Sequence, residues 1–271
     1  MSSPPEGDPP VLRARVSPLE GLRQTVILAR RTLLQVRHNP FELLDFSIQP
    51  IIFLLLFTYV FGGAIAGEVG AYLAFVLPGI IVMNMFFVTV YVGLGLNNDL
   101  TKGVFDRLRS LPIARWAPLA GRITADMLKQ AWSIALLLGV GMLLGFRVQT
   151  HLWGVIGTFA LLVAFALAFS WVSVLIGVLA RDAERVQVYG YTALFPLTFV
   201  SSAFVPPETM PSWLQPFVAV NPVTILSDAC RGLLVGGPVA APVAQSLLWA
   251  AGIGIVFAPL AVWAFKRKHR R

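Results

Sequence analysis

Long uncharged stretches alternate with short charged segments along most of the chain. Six stretches carry no Asp, Glu, Lys or Arg: residues 46–67, 69–98, 130–146, 152–180, 186–207 and 232–265. A helix that crosses a bilayer needs about 20 predominantly apolar residues, within a range of about 17–25. The pattern therefore predicts an all-α polytopic membrane protein with six transmembrane helices, over about residues 43–61, 72–96, 116–144, 153–179, 186–205 and 243–265.

Residues 19–38 have helical periodicity but are too polar to cross a membrane. Apolar side chains recur at three- and four-residue spacing and so share one stripe. These are Leu19, Leu22, Val26, Ala29, Leu33 and Val36. Arg23, Arg30 and Arg37 follow one edge of the stripe. Such a basic amphipathic helix is expected to lie in the interfacial plane, and a solvated helix of a small cytosolic domain is the alternative.

The segment 206–242 is apolar but is interrupted repeatedly by proline and glycine, unlike the other connections. Broken helices are tolerated at membrane depth only where protein or a cavity covers them. The composition predicts a re-entrant or interfacial helical hairpin on the outer side, between spans five and six. Trp213 and Phe217 would be its interfacial anchors. A seventh span over residues 209–227 is the alternative.

Composition agrees with this pattern, since 57% of the residues are hydrophobic, only 13% are charged and the mean hydropathy is +0.76. With six spans, 19 of the 21 Lys and Arg residues fall on one side of the membrane. Basic residues accumulate on the cytoplasmic side, so both termini are expected there. A seventh crossing would place the basic carboxyl end outside, which favours six. The net charge of +8 is then a topology determinant and does not indicate nucleic-acid binding.

The chain lacks the residue clusters that most enzymes and ion-coupled carriers need. It has no G-x-x-x-x-G-K-S/T phosphate loop, and its three histidines share no metal-like spacing, so we expect no catalytic residue and no metal site. A single cysteine, Cys230, excludes an intrachain disulfide. Arg122, Asp126 and Lys129 are spaced to pair along one face of the third span. The uncharged stretches hold no buried charge, which disfavours ion-coupled transport but leaves it open, because hydroxyls and carbonyls also coordinate ions.

Aromatic, hydroxyl and amide side chains must line the interior of such a bundle. Seven of them, in spans two and five, are candidates for a substrate pathway: Asn84, Phe86, Phe87, Phe195, Phe199, Ser201 and Ser202. Aromatic rings offer large contact areas to amphipathic or aromatic molecules. Simple helix packing is the competing interpretation for each of these residues.

The segment 103–113, between spans two and three, is the sharpest motif in the chain. Phe105, Leu108 and Leu111 recur at three-residue spacing, and Pro112 ends the pattern. These features predict a short amphipathic helix that either docks in a groove of a cytosolic partner or lies on the inner leaflet. The candidate docking residues are Gly103, Phe105, Asp106, Arg107, Leu108, Arg109, Ser110, Leu111 and Pro112.

This segment resembles a signature that ABC-2 type permeases carry after their second span, G-x-x-D/E-R-L-R-S-L-P-I. Residues 211–215, 220–224 and 231–234 are similar to the outer hairpin of that family, and the helix at 19–38 to its interfacial connecting helix. The family includes daunorubicin-resistance-like drug exporters and polysaccharide exporters. On this basis the chain divides into a disordered tail at 1–18, an interfacial helix at 19–40, a six-span domain at 41–265 and a basic cytoplasmic tail at 266–271.

The resemblance implies a permease subunit of an ATP-driven exporter in a bacterial plasma membrane. Two subunits, identical or related, would form the pathway for a hydrophobic or amphipathic molecule, with spans two and five around its axis. ATP and Mg²⁺ would bind a separate ABC ATPase, whose cleft would hold the segment 103–113, so this chain would be a transport subunit and not an enzyme. Short outer loops favour a drug or lipid as cargo, and a polysaccharide or glycolipid exporter is the alternative.

Overall fold

The computed structural model describes residue 20 and residues 23–27, 40–103 and 117–268. The amino-terminal tail, most of the expected interfacial helix, the docking segment beyond Gly103 and residues 269–271 lie outside the described residues. Residues 23–27 are helical, and Thr25 among them is buried. Every regular element in the described ranges is a helix, which confirms the predicted all-α class.

Nine α-helices follow one another in the described ranges 40–103 and 117–268. They are α1 (Pro40–Leu56), α2 (Gly62–Ala66), α3 (Val69–Thr101), α4 (Ala117–Leu143), α5 (Leu152–Leu179), α6 (Ala183–Phe199), α7 (Gln215–Val220), α8 (Pro222–Leu234) and α9 (Ala240–Lys268). A π-helical turn, Phe57–Phe61, joins α1 to α2, and a 3₁₀ turn, Pro207–Thr209, precedes α7.

The helical path of the first span, predicted to end at about residue 61, continues to Ala66. The backbone passes from α1 through the π turn into α2 without leaving the helical region, since Gly62 has φ −58° and ψ −44°. The helical path ends at Gly67, whose φ of 70° is a left-handed conformation that glycine adopts without a steric penalty. Because Glu68 is extended and α3 begins at Val69, only Gly67 and Glu68 separate the two helices that correspond to the first two predicted spans.

Four helical segments are long and apolar enough to cross a membrane by length and composition: Val69–Thr101, Ile123–Leu143, Leu152–Leu179 and Ala240–Lys268. They match the second, third, fourth and sixth predicted spans and agree with a polytopic membrane protein. α1 and α6 lie in the first and fifth predicted spans and have 17 residues each. At 1.5 Å per residue each of them reaches about 26 Å, close to the thickness of a hydrocarbon core of about 30 Å.

Helix α3 is the centre of the bundle and packs against α1, α4, α5, α6 and α8. Its most apolar 18-residue window is 83% buried inside the protein. A Cβ at Gly93 would lie 2.2 Å from the carbonyl oxygen of Ser173 in α5, and a Cβ at Gly177 would lie 2.4 Å from the carbonyl oxygen of Gly93. Small residues of this kind let two membrane helices approach backbone to backbone.

Gly93→Ala is expected to force α3 and α5 apart and to lower the free energy of unfolding by about 1–3 kcal/mol, the usual cost of overpacking a core. Gly139→Ala is the matched control, because nothing lies within 4 Å of a Cβ built at that position of α4. Alanine there should be neutral or should stabilise the helix by up to about 1 kcal/mol. Thermal unfolding of both purified variants in detergent measures the difference, and wild-type stability of Gly93→Ala would contradict the backbone contact.

Candidate functional site

A cavity of about 540 Å³, including the space at its open mouth, lies between α1, α3 and α6. Its lining comes from Gln49, Pro50 and Phe53 of α1, Met83, Asn84, Phe87, Val88 and Tyr91 of α3, and Tyr191, Phe195 and Phe199 of α6. Pockets that bind small molecules are mostly apolar, with a few polar groups that fix the orientation of the ligand. The arrangement is therefore suited to an apolar or aromatic ligand.

Seven aromatic side chains form a continuous series of ring contacts, which we name the aromatic chain. Four of them line the cavity and the other three continue the series beyond Phe199. In order of contact they are Phe61, Phe57, Phe204, Phe199, Phe195, Phe87 and Tyr191. Adjacent ring centres lie between 4.4 and 5.8 Å apart, within the range that aromatic pairs prefer. Phe195 and Phe199 remain 48% and 44% exposed, so their faces are available to a ligand.

Helical spacing explains how this chain of rings arises. Phe57 and Phe61 of the first helical path stand four residues apart, and so do Phe195 and Phe199 of α6. Residues four apart lie on the same face of a helix, where their side chains meet. The contact of Phe195 with Phe199, whose ring planes are 15° apart, follows from this spacing.

Asn84 and a small polar cluster lie where α3 meets α4. The Asn84 amide Nδ2 donates to Ser133 Oγ at 2.7 Å, and this bond fixes the side chain beside the cavity. One turn away, Lys129 Nζ lies 3.6 Å from Asp126 Oδ1, and both side chains are buried. The predicted pairing of these two residues is thus confirmed. The described residues contain no group of three or more His, Cys, Asp or Glu that would suit a metal ion.

The structure brings together four of the seven residues proposed for the pathway: Asn84, Phe87, Phe195 and Phe199. Phe86 points to the other side of α3, where it is fully buried, with its ring 5.6 Å from that of Phe165 and 4.7 Å from that of Phe169. Consecutive residues of a helix point about 100° apart, which allows Phe86 to face Phe165 and Phe169 while Phe87 faces the cavity.

Ser201 and Ser202 are also buried, in the turn 200–205 that follows α6. Contact of any of the seven residues with a substrate stays a prediction. The lining residues that were not predicted include Gln49, Phe53, Tyr91 and Tyr191. The four-residue spacing of aromatics in spans one, two and five could have indicated the last three.

Helix α8 of the predicted hairpin is anchored firmly in the bundle at both ends. Its first turn is capped by Asn221, whose Oδ1 accepts from Val223 N at 2.8 Å and whose Nδ2 donates to the carbonyl oxygen of Leu197 at 2.7 Å. At its last turn, the backbone nitrogen of Gln149 donates to the carbonyl oxygen of Leu234 at 3.0 Å. Hydrogen-bonded helix ends permit the burial of α8. Most of its residues are buried, so this part of the predicted hairpin belongs to the core.

Cys230 of α8 is fully buried, and burial raises the pKa of its thiol to about 12. Since only the thiolate reacts quickly, N-ethylmaleimide at neutral pH is expected to label the folded protein at least about a hundredfold more slowly than the unfolded chain. Mass spectrometry before and after denaturation measures the ratio, with Cys230→Ala as the background control. Rapid labelling of the folded protein would contradict the placement of α8.

Comparison with known proteins shows the family of the chain. Residues 23–235 match the ABC-2 type transporter family. A daunorubicin resistance ABC transporter permease protein of Streptomyces coeruleorubidus is 41% identical over 239 residues, which cover 88% of this chain and 84% of that protein. A protein of Mycobacterium tuberculosis named "probable doxorubicin resistance ABC transporter permease" is 29% identical over 244 residues, which cover 88% and 87% of the two chains. The extent of these matches, together with the apolar helices, shows that the chain belongs to the ABC-2 type transporter family as a membrane permease subunit.

Proposed function

We propose that this permease exports hydrophobic or amphipathic, drug- or lipid-like molecules across the bacterial plasma membrane through the cavity between α1, α3 and α6. The observation that carries the proposal is the aromatic chain, because it offers half-exposed ring faces inside a mostly apolar cavity. Flat aromatic molecules stack on such faces. The names of the relatives, which refer to daunorubicin and doxorubicin resistance, support the same class of cargo.

The exposed face of α6 supports a pathway at the surface of this subunit. Gln187, Tyr189 and Thr192 are exposed there, alongside Phe195 and Phe199. Polar side chains in contact with lipid tails would lack hydrogen-bond partners. This face is better suited to a water-containing pathway or to a second permease subunit, identical or related, and we propose that the two subunits enclose the pathway between them.

We further propose six spans, formed by α1 with its π turn and α2, then α3, α4, α5, α6 and α9, with both termini in the cytoplasm. Lys268 at the end of α9 donates from Nζ to the carbonyl oxygen of Val178 at 2.6 Å. Asn97 near the end of α3 donates to the carbonyl oxygen of Ala180 at 3.0 Å. The carboxyl ends of α3, α5 and α9 therefore lie together, as alternating spans require. Basic Arg181 and Arg185 follow α5 at this same end, which supports its assignment to the cytoplasm.

The hairpin would then lie on the outer side. α8 is hydrogen-bonded to the α4–α5 connection, at the end of α5 opposite to Lys268. Trp213 and Phe217, 69% and 66% exposed, would anchor it at the headgroups, where amphipathic aromatic rings accumulate.

The coupling to ATP is proposed for the segment 103–113, which begins where α3 ends. Gly103, with φ 65°, follows the last residues of this helix at its proposed cytoplasmic end. A partner ABC ATPase would bind ATP and Mg²⁺ and would hold the segment in a cleft, so that closure of the ATPase moves α3 and α4. This chain would contribute the pathway and no catalytic residue.

Inverted membrane vesicles that contain the permease and its co-purified ATPase partner test this function. ATP should drive daunorubicin into the vesicles, vanadate should block uptake, and the purified permease alone should hydrolyse no ATP. Uptake that is driven by a proton gradient and resists vanadate would instead identify an ion-coupled carrier. Accumulation of a glycolipid but not of daunorubicin would favour the polysaccharide or glycolipid branch of the family.

A further inference from the structure

Arg231 of α8 is a buried charged side chain that lies outside the cavity lining. Its side chain is only 14% exposed, and the guanidinium carbon lies 3.9 Å from the centre of the Phe75 ring. A buried charge is costly unless an opposite charge and hydrogen bonds satisfy it. The hydrogen-bond partners of this guanidinium therefore indicate the role of Arg231.

The guanidinium joins three separate elements at one point. Nε donates to the carbonyl oxygen of Phe75 in α3 at 2.9 Å. Nη1 donates to Asp228 Oδ1 at 2.6 Å and to Ser202 Oγ at 3.1 Å. Nη2 donates to the carbonyl oxygens of Ser202 and Ala203, the second at 3.3 Å. Helix α8, helix α3 and the turn 200–205 are tied together in this way.

The turn 200–205 carries the link between the two halves of the aromatic chain. The ring of Phe204 in this turn lies 5.3 Å from that of Phe199 at the end of α6 and 4.4 Å from that of Phe57. The turn lies directly on α3, because a Cβ at Gly79 would be 2.1 Å from the carbonyl oxygen of Ala203. The position of the turn against α3 therefore affects the placement of the Phe204 ring and of the Phe199 ring beside it.

Arginine suits this position for a geometric reason. A guanidinium holds five N–H donors in one rigid plane, whereas the lysine ammonium is a single point with three donors. Three of the acceptors here are backbone carbonyls of Phe75, Ser202 and Ala203. The side chain thus restrains the path of the backbone, and one ammonium nitrogen could not reach all three carbonyls.

We propose that Arg231 is a positioning residue of the cavity. It holds the turn 200–205 against α3 and thereby sets the placement of Phe199 and Phe204, while Asp228 orients the guanidinium and balances its charge. The effect on substrate passage rests on the proposed function, whereas the placement of the rings does not.

Crosslinking between engineered cysteines measures this placement without any substrate. In full-length Cys230→Ala protein in membranes, the first pair is Phe57→Cys with Phe204→Cys, whose native rings lie 4.4 Å apart. The matched control pair is Phe87→Cys with Tyr191→Cys, whose rings lie 5.6 Å apart at the other end of the aromatic chain. A short bifunctional thiol reagent gives a crosslinking rate for each pair.

Adding Arg231→Lys is expected to slow the 57–204 pair about tenfold, since charge-assisted hydrogen bonds are lost, and to leave the 87–191 pair within about twofold. Asp228→Asn removes the charge pair but keeps the guanidinium and its bonds to the carbonyls. Crosslinking of the 57–204 pair should therefore slow less, by about threefold. This second variant carries the test if the lysine variant does not fold. Equal slowing of both pairs would reduce Arg231 to a stability residue, and unchanged rates would remove it from the site.

The two proposals can fail separately. A protein whose crosslinking responds selectively, but which transports no daunorubicin, would reject the proposed function and leave the role of Arg231 intact. Normal daunorubicin transport with unselective crosslinking would reject the positioning role alone.

Discussion

Replacement of both Phe195 and Phe199 by alanine is expected to lower ATP-driven daunorubicin uptake into vesicles at least about tenfold. Each aromatic contact contributes about 0.5–1.5 kcal/mol, and the two rings form the middle of the aromatic chain, where they are half-exposed to the cavity. Loss of both should remove about 2 kcal/mol of contact with an aromatic substrate, and about 1.4 kcal/mol already corresponds to a tenfold change.

Phe217→Ala provides the control for this experiment. Its ring is 66% exposed, but it belongs to α7 of the hairpin and does not line the cavity. Uptake by this variant should stay within about twofold of wild type, since its ring lies outside the cavity lining. Equal losses in Phe217→Ala and in the double variant would show that exposed aromatics act through membrane anchoring, and the cavity would lose its assigned role.

Reversal of charge at Arg107 and Arg109 is expected to abolish co-purification of the ATPase and to reduce ATP-driven uptake about tenfold or more. Removal of one partner from a charge pair at an interface typically costs about 2–5 kcal/mol. The expectation follows from the resemblance of the segment 103–113 to the family signature and from its start at the end of α3. The measurement is the amount of ATPase retained by Arg107→Glu/Arg109→Glu protein on an affinity column.

Arg181→Glu is the matched control for the charge reversal. Arg181 is exposed and follows α5 at the same proposed cytoplasmic end, outside the docking segment. It should retain the ATPase, and the circular dichroism of both variants should match wild type, since the spans themselves are unchanged. Full retention of the ATPase by the double reversal would exclude the segment 103–113 as the docking site.

The positions of most helices could be predicted from the uncharged stretches alone. The span expected at 153–179 is Leu152–Leu179, and the one expected at 116–144 is Ala117–Leu143. The agreement has a physical cause, because lipid satisfies no backbone hydrogen bonds and so an apolar stretch of this length must be helical. Boundaries were less accurate where polar residues continue a helix. The span expected to end at residue 96 extends to Thr101, and the amide of Asn97 finds the carbonyl oxygens of Gly177 and Ala180 as partners at the end of the bundle.

The candidate site was predictable only in part. The aromatic content of spans two and five indicated the cavity, and Phe87, Phe195 and Phe199 are indeed among its lining residues. The contribution of α1 was not foreseen, because Gln49 and Phe53 line the cavity only when that helix packs beside α3 and α6. In the sequence, Arg231 is one of the two basic residues that fall opposite the other 19, and it begins the stretch 231–234 that resembles the outer hairpin of the family. Nothing in its neighbours along the chain indicates the carbonyls of Phe75 and Ser202.

The pattern of charged and apolar positions by itself determined the all-α class and the location of the long apolar helices, and the resemblance of residues 103–113 to a family signature was likewise read from adjacent residues. Each of these depends on residues that are close together in the chain. The tertiary structure alone decided which side of α3 faces the cavity, how seven rings from three helical paths and the turn 200–205 form one chain, and which backbone groups Arg231 holds. Those features depend on contacts between residues that are far apart in sequence, and only the packing of the helices around α3 brings them together.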